Sequence, residues 1–134
     1  MRRLGPTGAR RLISLNAVAR SALGVVAFAA PRWPLAPWVG DAAAQPSARM
    51  LGRALGGRDL AIGLGTLWAI RRDQPLAGWV LAGGLADAGD VATTLGHLSS
   101  RPRLGRWAVL TAATGGVAAA ALAAAAHPGR ERNA

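Results

Sequence analysis

The stretch LGRALGGRDLAIGLGTLWAI, residues 51–70, places Arg58 and Asp59 in the middle of an apolar run about as long as a bilayer's hydrocarbon core is thick. Its nine or so large apolar residues contribute roughly −4 kcal/mol to insertion, whereas Arg53, Arg58 and Asp59 cost up to about +3 kcal/mol each. Alone, such a helix does not enter lipid. It needs opposite charge from a neighbour, or for Arg53 a route by which the long side chain reaches the surface.

Three further apolar segments surround it. Read for length, the expected spans are 12–30, 49–70, 75–96 and 104–126, each near the roughly 20 residues that cross a membrane. Strands are disfavoured, because β-branched and aromatic residues are sparse and nothing alternates with period two. The expectation is an all-α, integral membrane four-helix bundle. A soluble bundle would need charged outer faces that AVLTAATGGVAAAALAAAA lacks. Hydrophobic residues make up 51% of the 134 and charged ones 16%, below the roughly 25% charged of an average soluble domain. Arg supplies all 16 basic residues and holds the mean hydropathy to +0.25.

Between the first two spans, PRWPLAPWVGDAAAQPS contains Pro31, Pro34, Pro37 and Pro46, which oppose continued helix, and Trp33 and Trp38, which suit the headgroup level. It reads as an interfacial loop. RRDQP, with Pro75 in a first helical turn, and HLSSRPR read as short turns. Residues 1–11 form a basic cytoplasmic N-terminus, 12–126 the membrane domain, and 127–134 a disordered cytoplasmic tail. Arg10 and Arg11 ahead of a stretch ending Ala27-Phe28-Ala29 also resemble an export signal. Arg20 interrupts that stretch and more spans follow, so a retained first helix is expected. Arg in the loops favours both termini in the cytoplasm of a multi-pass plasma-membrane protein.

The formal charge of +10 raises nucleic-acid binding. The Arg residues are scattered among apolar segments without a basic stripe interleaved with aromatics, so no nucleic-acid partner is expected. The chain has no cysteine, which excludes disulfides, thiol catalysis and Cys-ligated metals. Ala, Gly and Arg richness fits a GC-rich, hence bacterial, genome.

Compensation for the buried charge lies in GGLADAGDVATTLG. Asp87 and Asp90, three apart, share a helical face with Gly83 and Thr94. In an antiparallel hairpin about RRDQ, Arg58 falls near the level of residue 88 and meets Asp87 and Asp90. Asp59 falls near Asp87, and Arg53 comes within reach of Asp90. Arg20, with Asn16 one turn before it, adds a third cation somewhat nearer the cytoplasm, so three Arg and three Asp balance. About 100° per residue puts Gly52, Gly56, Asp59 and Gly63 in one narrow stripe, a seam for close helix packing. Arg53 and Arg58 flank that seam about 140° apart, so this helix is expected to be central.

GRALGGRDLAIGLGTL, followed after a basic turn by Trp79 and GGLADAGD, resembles a group of small bacterial membrane modules, frequent in actinobacteria and labelled as domains of unknown function. Gly56, Arg58, Asp59, Gly63, Gly65, Trp79, Asp87 and Asp90 carry the likeness, over about residues 50–98. Some relatives of that group precede a cyclase or dehydrase-like domain, and no such domain is present here. The resemblance implies a helical membrane protein and no specific activity.

An enzyme would draw on Asp87, Asp90 and His97, a set without a nucleophile or phosphate-cradling loop; GRALGG lacks the Gly-Lys-Ser/Thr of a nucleotide loop. No catalytic, cofactor-binding or metal-binding residue is assigned. The expected function is that of a non-enzymatic structural or accessory module with a buried Arg/Asp network. The alternative is a small-solute or proton-coupled transporter subunit using Asp87 and Asp90. Expected partners are the lipid bilayer and either a second copy or a larger membrane complex.

Overall fold

The computed structural model describes residues 6–96. The expected fourth span, its flanking loops and the tail lie outside these residues, as does His97. Within them the chain is all-α: α1 (Pro6–Ala29), α2 (Arg32–Val39), a 3₁₀ helix (Gly40–Ala44), α3 (Pro46–Arg71) and α4 (Ala77–Gly96), with no strand among the described residues.

Proline and the chain's charges set the ends. α1 stops one residue short of Ala30-Pro31, because the residue before a proline is driven out of helical geometry. α3 starts with Pro46 in its first turn, where the missing N–H has no intrahelical acceptor to lose. Its C-terminus closes through Asp73, which adopts a left-handed φ of 51°. Gln74 N donates to Ala69 O at 2.9 Å and Asp73 N to Ile70 O at 3.4 Å, the reciprocal pattern that caps a helix end. Arg10 of α1 completes it by donating Nη2 to both Ile70 O and Asp73 Oδ1 at 2.7 Å. Arg10 and Arg11 therefore belong to a helix rather than to a basic tail. Pro75 precedes α4 by two residues instead of opening it.

The segment expected as an interfacial loop folds instead as α2 and the 3₁₀ helix. Pro34 sits in the first turn of α2, where proline is tolerated, and the element ends after Pro37 at Gly40, whose φ of 61° and ψ of −138° suit only glycine.

α1 and α3 form the main contact and run antiparallel. Their backbones approach so closely that a Cβ added at Gly56 would stand 2.6 Å from Phe28 N and 2.8 Å from Gly24 O. At Gly63 it would stand 2.8 Å from Ala17 O. Gly56 and Gly63 thus do the packing work expected of them, with Gly24 and Ala17 as their partners on α1. Gly52 faces α2: its Cβ would meet Leu35 Cδ1 at 2.6 Å and Pro31 Cβ at 2.9 Å. Gly83 differs from the expectation. Its nearest neighbours are Ile62 Cγ2 at 3.7 Å and Arg20 Nη2 at 3.9 Å, ordinary contacts, so it makes room for a side chain rather than drawing two backbones together. α4 lies against the other side of α3, with the Trp79 ring over Gly65.

One described helix, Thr7–Ala29 with a mean hydropathy of 1.7, is long and apolar enough by itself to cross a membrane. α3 and α4 do not reach that level, because the ionic residues in their middles lower the average.

Gly56→Ala is expected to destabilise the fold by roughly 1–3 kcal/mol, since the new methyl meets backbone that cannot swing away. At Gly57 the nearest atom is Phe28 Cδ2 at 4.0 Å, so Gly57→Ala is expected to be neutral or stabilising by up to about 1 kcal/mol. Thermal unfolding followed by circular dichroism distinguishes the two.

Candidate functional site

Where α1, α3 and α4 meet, five charged side chains form one connected layer. Helical geometry puts them there: Arg58 and Asp59, adjacent on α3, leave the helix about 100° apart and serve two neighbours. Asp87 and Asp90, one turn apart on α4, present two carboxylates to the same gap. Arg20 enters from α1 at the level set by the glycine seam.

The order of contacts is alternating. Arg20 Nη1 donates to Asp59 Oδ1 at 2.7 Å while its Nη2 is bonded to Asp87 Oδ1. Arg58 donates Nε and Nη2 to the same Asp59 oxygen at 3.3 and 3.2 Å. Its Nη1 and Nη2 also grip the two oxygens of Asp90 at 3.1 and 2.9 Å, the fork-to-fork geometry in which guanidinium outperforms ammonium. The row therefore reads Asp87, Arg20, Asp59, Arg58, Asp90. Asp59 is its hinge, since one oxygen accepts from both cations.

Burial falls along the row. Side-chain exposure is 10% for Arg20, 14% for Asp59 and 11% for Asp87, against 30% for Arg58 and 27% for Asp90. Two cations meet three carboxylates, which leaves one formal negative charge over. The buried hydroxyls nearby are satisfied within their own helices, Thr66 donating to Ile62 O at 2.7 Å and Thr94 to Asp90 O at 2.6 Å. A narrow cleft lined by Asn16, Arg20, Ile62, Thr66, Trp79 and Asp87 runs up to the buried end of the row.

Three expectations about this site are corrected. Arg53 stands apart from the layer: it is exposed and donates Nε to Phe28 O at 3.3 Å. It lies five residues beyond Arg58 and meets the end of α1, whose last carbonyls lack intrahelical donors. Arg58 pairs with Asp90 and Asp59, while Asp87 belongs to Arg20. Arg20 is level with Asp59 and Asp87 rather than displaced toward one end; with Arg53 outside the layer, the balance is two Arg to three Asp. The ion pair of Arg10 with Asp73, at 2.7 Å, is an addition that reading the sequence missed.

Among the described residues, no three His, Cys, Asp or Glu side chains stand close enough to hold a metal ion. None of the family models, curated proteins and solved structures compared with the chain matches it.

Arg58→Lys keeps the charge but loses the fork to Asp90 and the shared contact to Asp59. It is expected to lower the unfolding free energy by about 1–3 kcal/mol. Arg53→Lys, which gives up a single carbonyl contact, is expected to leave it unchanged. Denaturant titration of the two purified variants against the parent measures both.

Proposed function

We propose that the chain is a multi-pass integral protein of a bacterial plasma membrane, with both termini cytoplasmic, acting as a structural or accessory module rather than an enzyme. The observation that carries this reading is the inverted distribution of polarity. Five charged side chains, Arg20, Arg58, Asp59, Asp87 and Asp90, occupy the interior at mid-height of the described bundle, while Leu15, Leu64, Leu81 and Leu85 are exposed at 67, 52, 62 and 65%. In water that arrangement loses on both counts, since apolar surface stays wet and ions lose hydration. In lipid it is favourable.

Depth supports the same reading. Arg49 and Trp68 lie ten and nine residues either side of Asp59 on α3, about 15 Å and 14 Å along the axis. These offsets match the half-thickness of a hydrocarbon core of about 30 Å. The ionic layer then sits near the midplane, and Trp33 at one end and Trp68 at the other stand where interfacial aromatics concentrate. α3 and α4 insert as part of a neutralising assembly rather than singly. The likeness to actinobacterial membrane modules agrees with this proposal, and the partners it implies are the lipid bilayer and a second copy or a larger membrane complex.

A second reading, small-solute or proton-coupled transport, is favoured by one observation. The row carries a carboxylate more than its guanidiniums neutralise, and its exposed end is Asp90. Carboxylates within membrane helices that are not fully neutralised mark ion and proton pathways.

Membranes from expressing cells are expected to retain the full chain through alkaline carbonate and to release it only to detergent; release by carbonate would contradict the membrane reading. In proteoliposomes, Asp90→Asn is expected to leave proton flux unchanged. A flux that the parent supports and this variant abolishes would replace the structural role with transport.

A further inference from the structure

The end of the bundle built from the last turn of α1, α2 and the first turns of α3 carries Arg32, Arg49 and Arg53. All three are exposed, and among the described residues none of them pairs with a carboxylate. Asp41, the acid of the intervening 3₁₀ helix, takes part in no ion pair either. At the opposite end Arg10 is neutralised by Asp73 and also caps α3, while Arg11, Arg71 and Arg72 are exposed and pair with no carboxylate among the described residues.

These three cations are brought together by the fold. Arg49 and Arg53 are four residues apart on one face of α3. Gly52, between them, packs on Pro31 and Leu35, which sets Arg32 beside the same turn of α3. Arg53 is tethered through Nε to Phe28 O, and its two Nη nitrogens have no protein acceptor among the described residues. Arg32 and Trp33 line a shallow groove with Ala36 and Pro37, and Trp33 is 80% exposed. Around the cations stand Phe28, Met50 and Leu51, exposed at 55, 71 and 59%.

Cations alone would suit any anion. Here they share a surface with bare apolar side chains near the depth where headgroup phosphates lie above acyl chains: Arg49 stands about 15 Å from the ionic layer, and Arg53, about 9 Å from it, extends its long side chain to the end of α1. A ligand that satisfies both must carry a phosphate and hydrocarbon in one molecule. Guanidinium forks grip phosphate oxygens in pairs, and an indole suits the glycerol level just beneath. We propose that Arg32, Arg49 and Arg53, with Trp33, form a binding site for the headgroup of an anionic phospholipid in the bilayer leaflet on that side. The proposal rests on the membrane reading above.

The test uses the full chain purified in dodecyl maltoside, with phosphatidylglycerol or phosphatidylcholine added at equal lipid content, and reads the melting temperature. Phosphatidylglycerol is expected to raise it by several degrees more than phosphatidylcholine. The triple variant Arg32→Gln, Arg49→Gln, Arg53→Gln is expected to lose that difference, whereas Arg71→Gln with Arg72→Gln, at the opposite end, keeps it. Should the triple variant fail to fold, Arg49→Gln alone is expected to shrink the difference. Equal effects of the two lipids, a difference that survives in the Gln variants, or the same rise produced by inorganic phosphate would each overturn the proposal. A chain that carbonate retains in membranes but that shows no lipid preference would sink this inference and leave the membrane reading intact; release by carbonate would sink the reading itself.

Discussion

A guanidinium and a carboxylate removed from water are each costly, and together they are tolerable only when they meet with hydrogen bonds made on both sides. The row from Asp87 through Arg20, Asp59 and Arg58 to Asp90 meets that condition with contacts from three helices. It fixes which helices are neighbours, at what height and in which rotation. A slide of α4 by one turn would move Asp87 and Asp90 about 5.4 Å along the axis and break the pairing of Arg20 with Asp87 and of Arg58 with Asp90, leaving Asp59 alone to serve both guanidiniums.

The glycine seam makes the row possible. Backbone contact at Gly24, Gly56 and Gly63 draws α1 onto α3 and thereby puts Arg20 within reach of Asp59. Gly83 leaves space on α4 for the same guanidinium. Charge specifies the assembly and small residues supply its dispersion contact, the combination expected where lipid offers helices no hydrophobic gain from associating. The apolar exterior and the ionic interior are then one design seen from two sides.

Much of this was legible in the residues. Apolar runs bounded by Pro31, Pro46 and Pro75 marked α1, α3 and α4 to within a few positions, apart from the N-terminal extension of α1 back to Pro6. Counting inward from the RRDQ turn brings Arg58 near the level of residue 88, between Asp87 and its actual partner Asp90, and the stripe of glycines on α3 points to a seam. What escaped has physical causes. α2 hides behind its prolines, which oppose a helix in general, although Pro34 in its first turn gives up no hydrogen bond and the helix ends soon after Pro37. Arg53 has the depth to reach Asp90 but leaves α3 on the other flank of the seam from Arg58, where the open carbonyls ending α1 receive it. The bridging role of Arg20 needed the register of α1 on α3. The small residues Ala17, Ser21 and Gly24 carry that register at three- and four-residue spacing, and the same register sets Arg10 opposite Asp73. The charges in the middles of α3 and α4 also lower their mean hydropathy, so that α1 alone among the described helices is apolar enough by itself to cross a membrane.

The most direct measurement of the central claim is a double-mutant cycle between Arg20 and Asp87, with Arg20→Met, Asp87→Leu and the pair compared for unfolding free energy in detergent. Arg20→Met strands Asp87 and is expected to cost about 3–5 kcal/mol, Asp87→Leu leaves Arg20 with Asp59 and is expected to cost less, and the double change is expected to cost well below the sum. Losses that add to within about 0.5 kcal/mol would mean the two side chains do not depend on each other, and the ionic layer would not be what holds these helices in place.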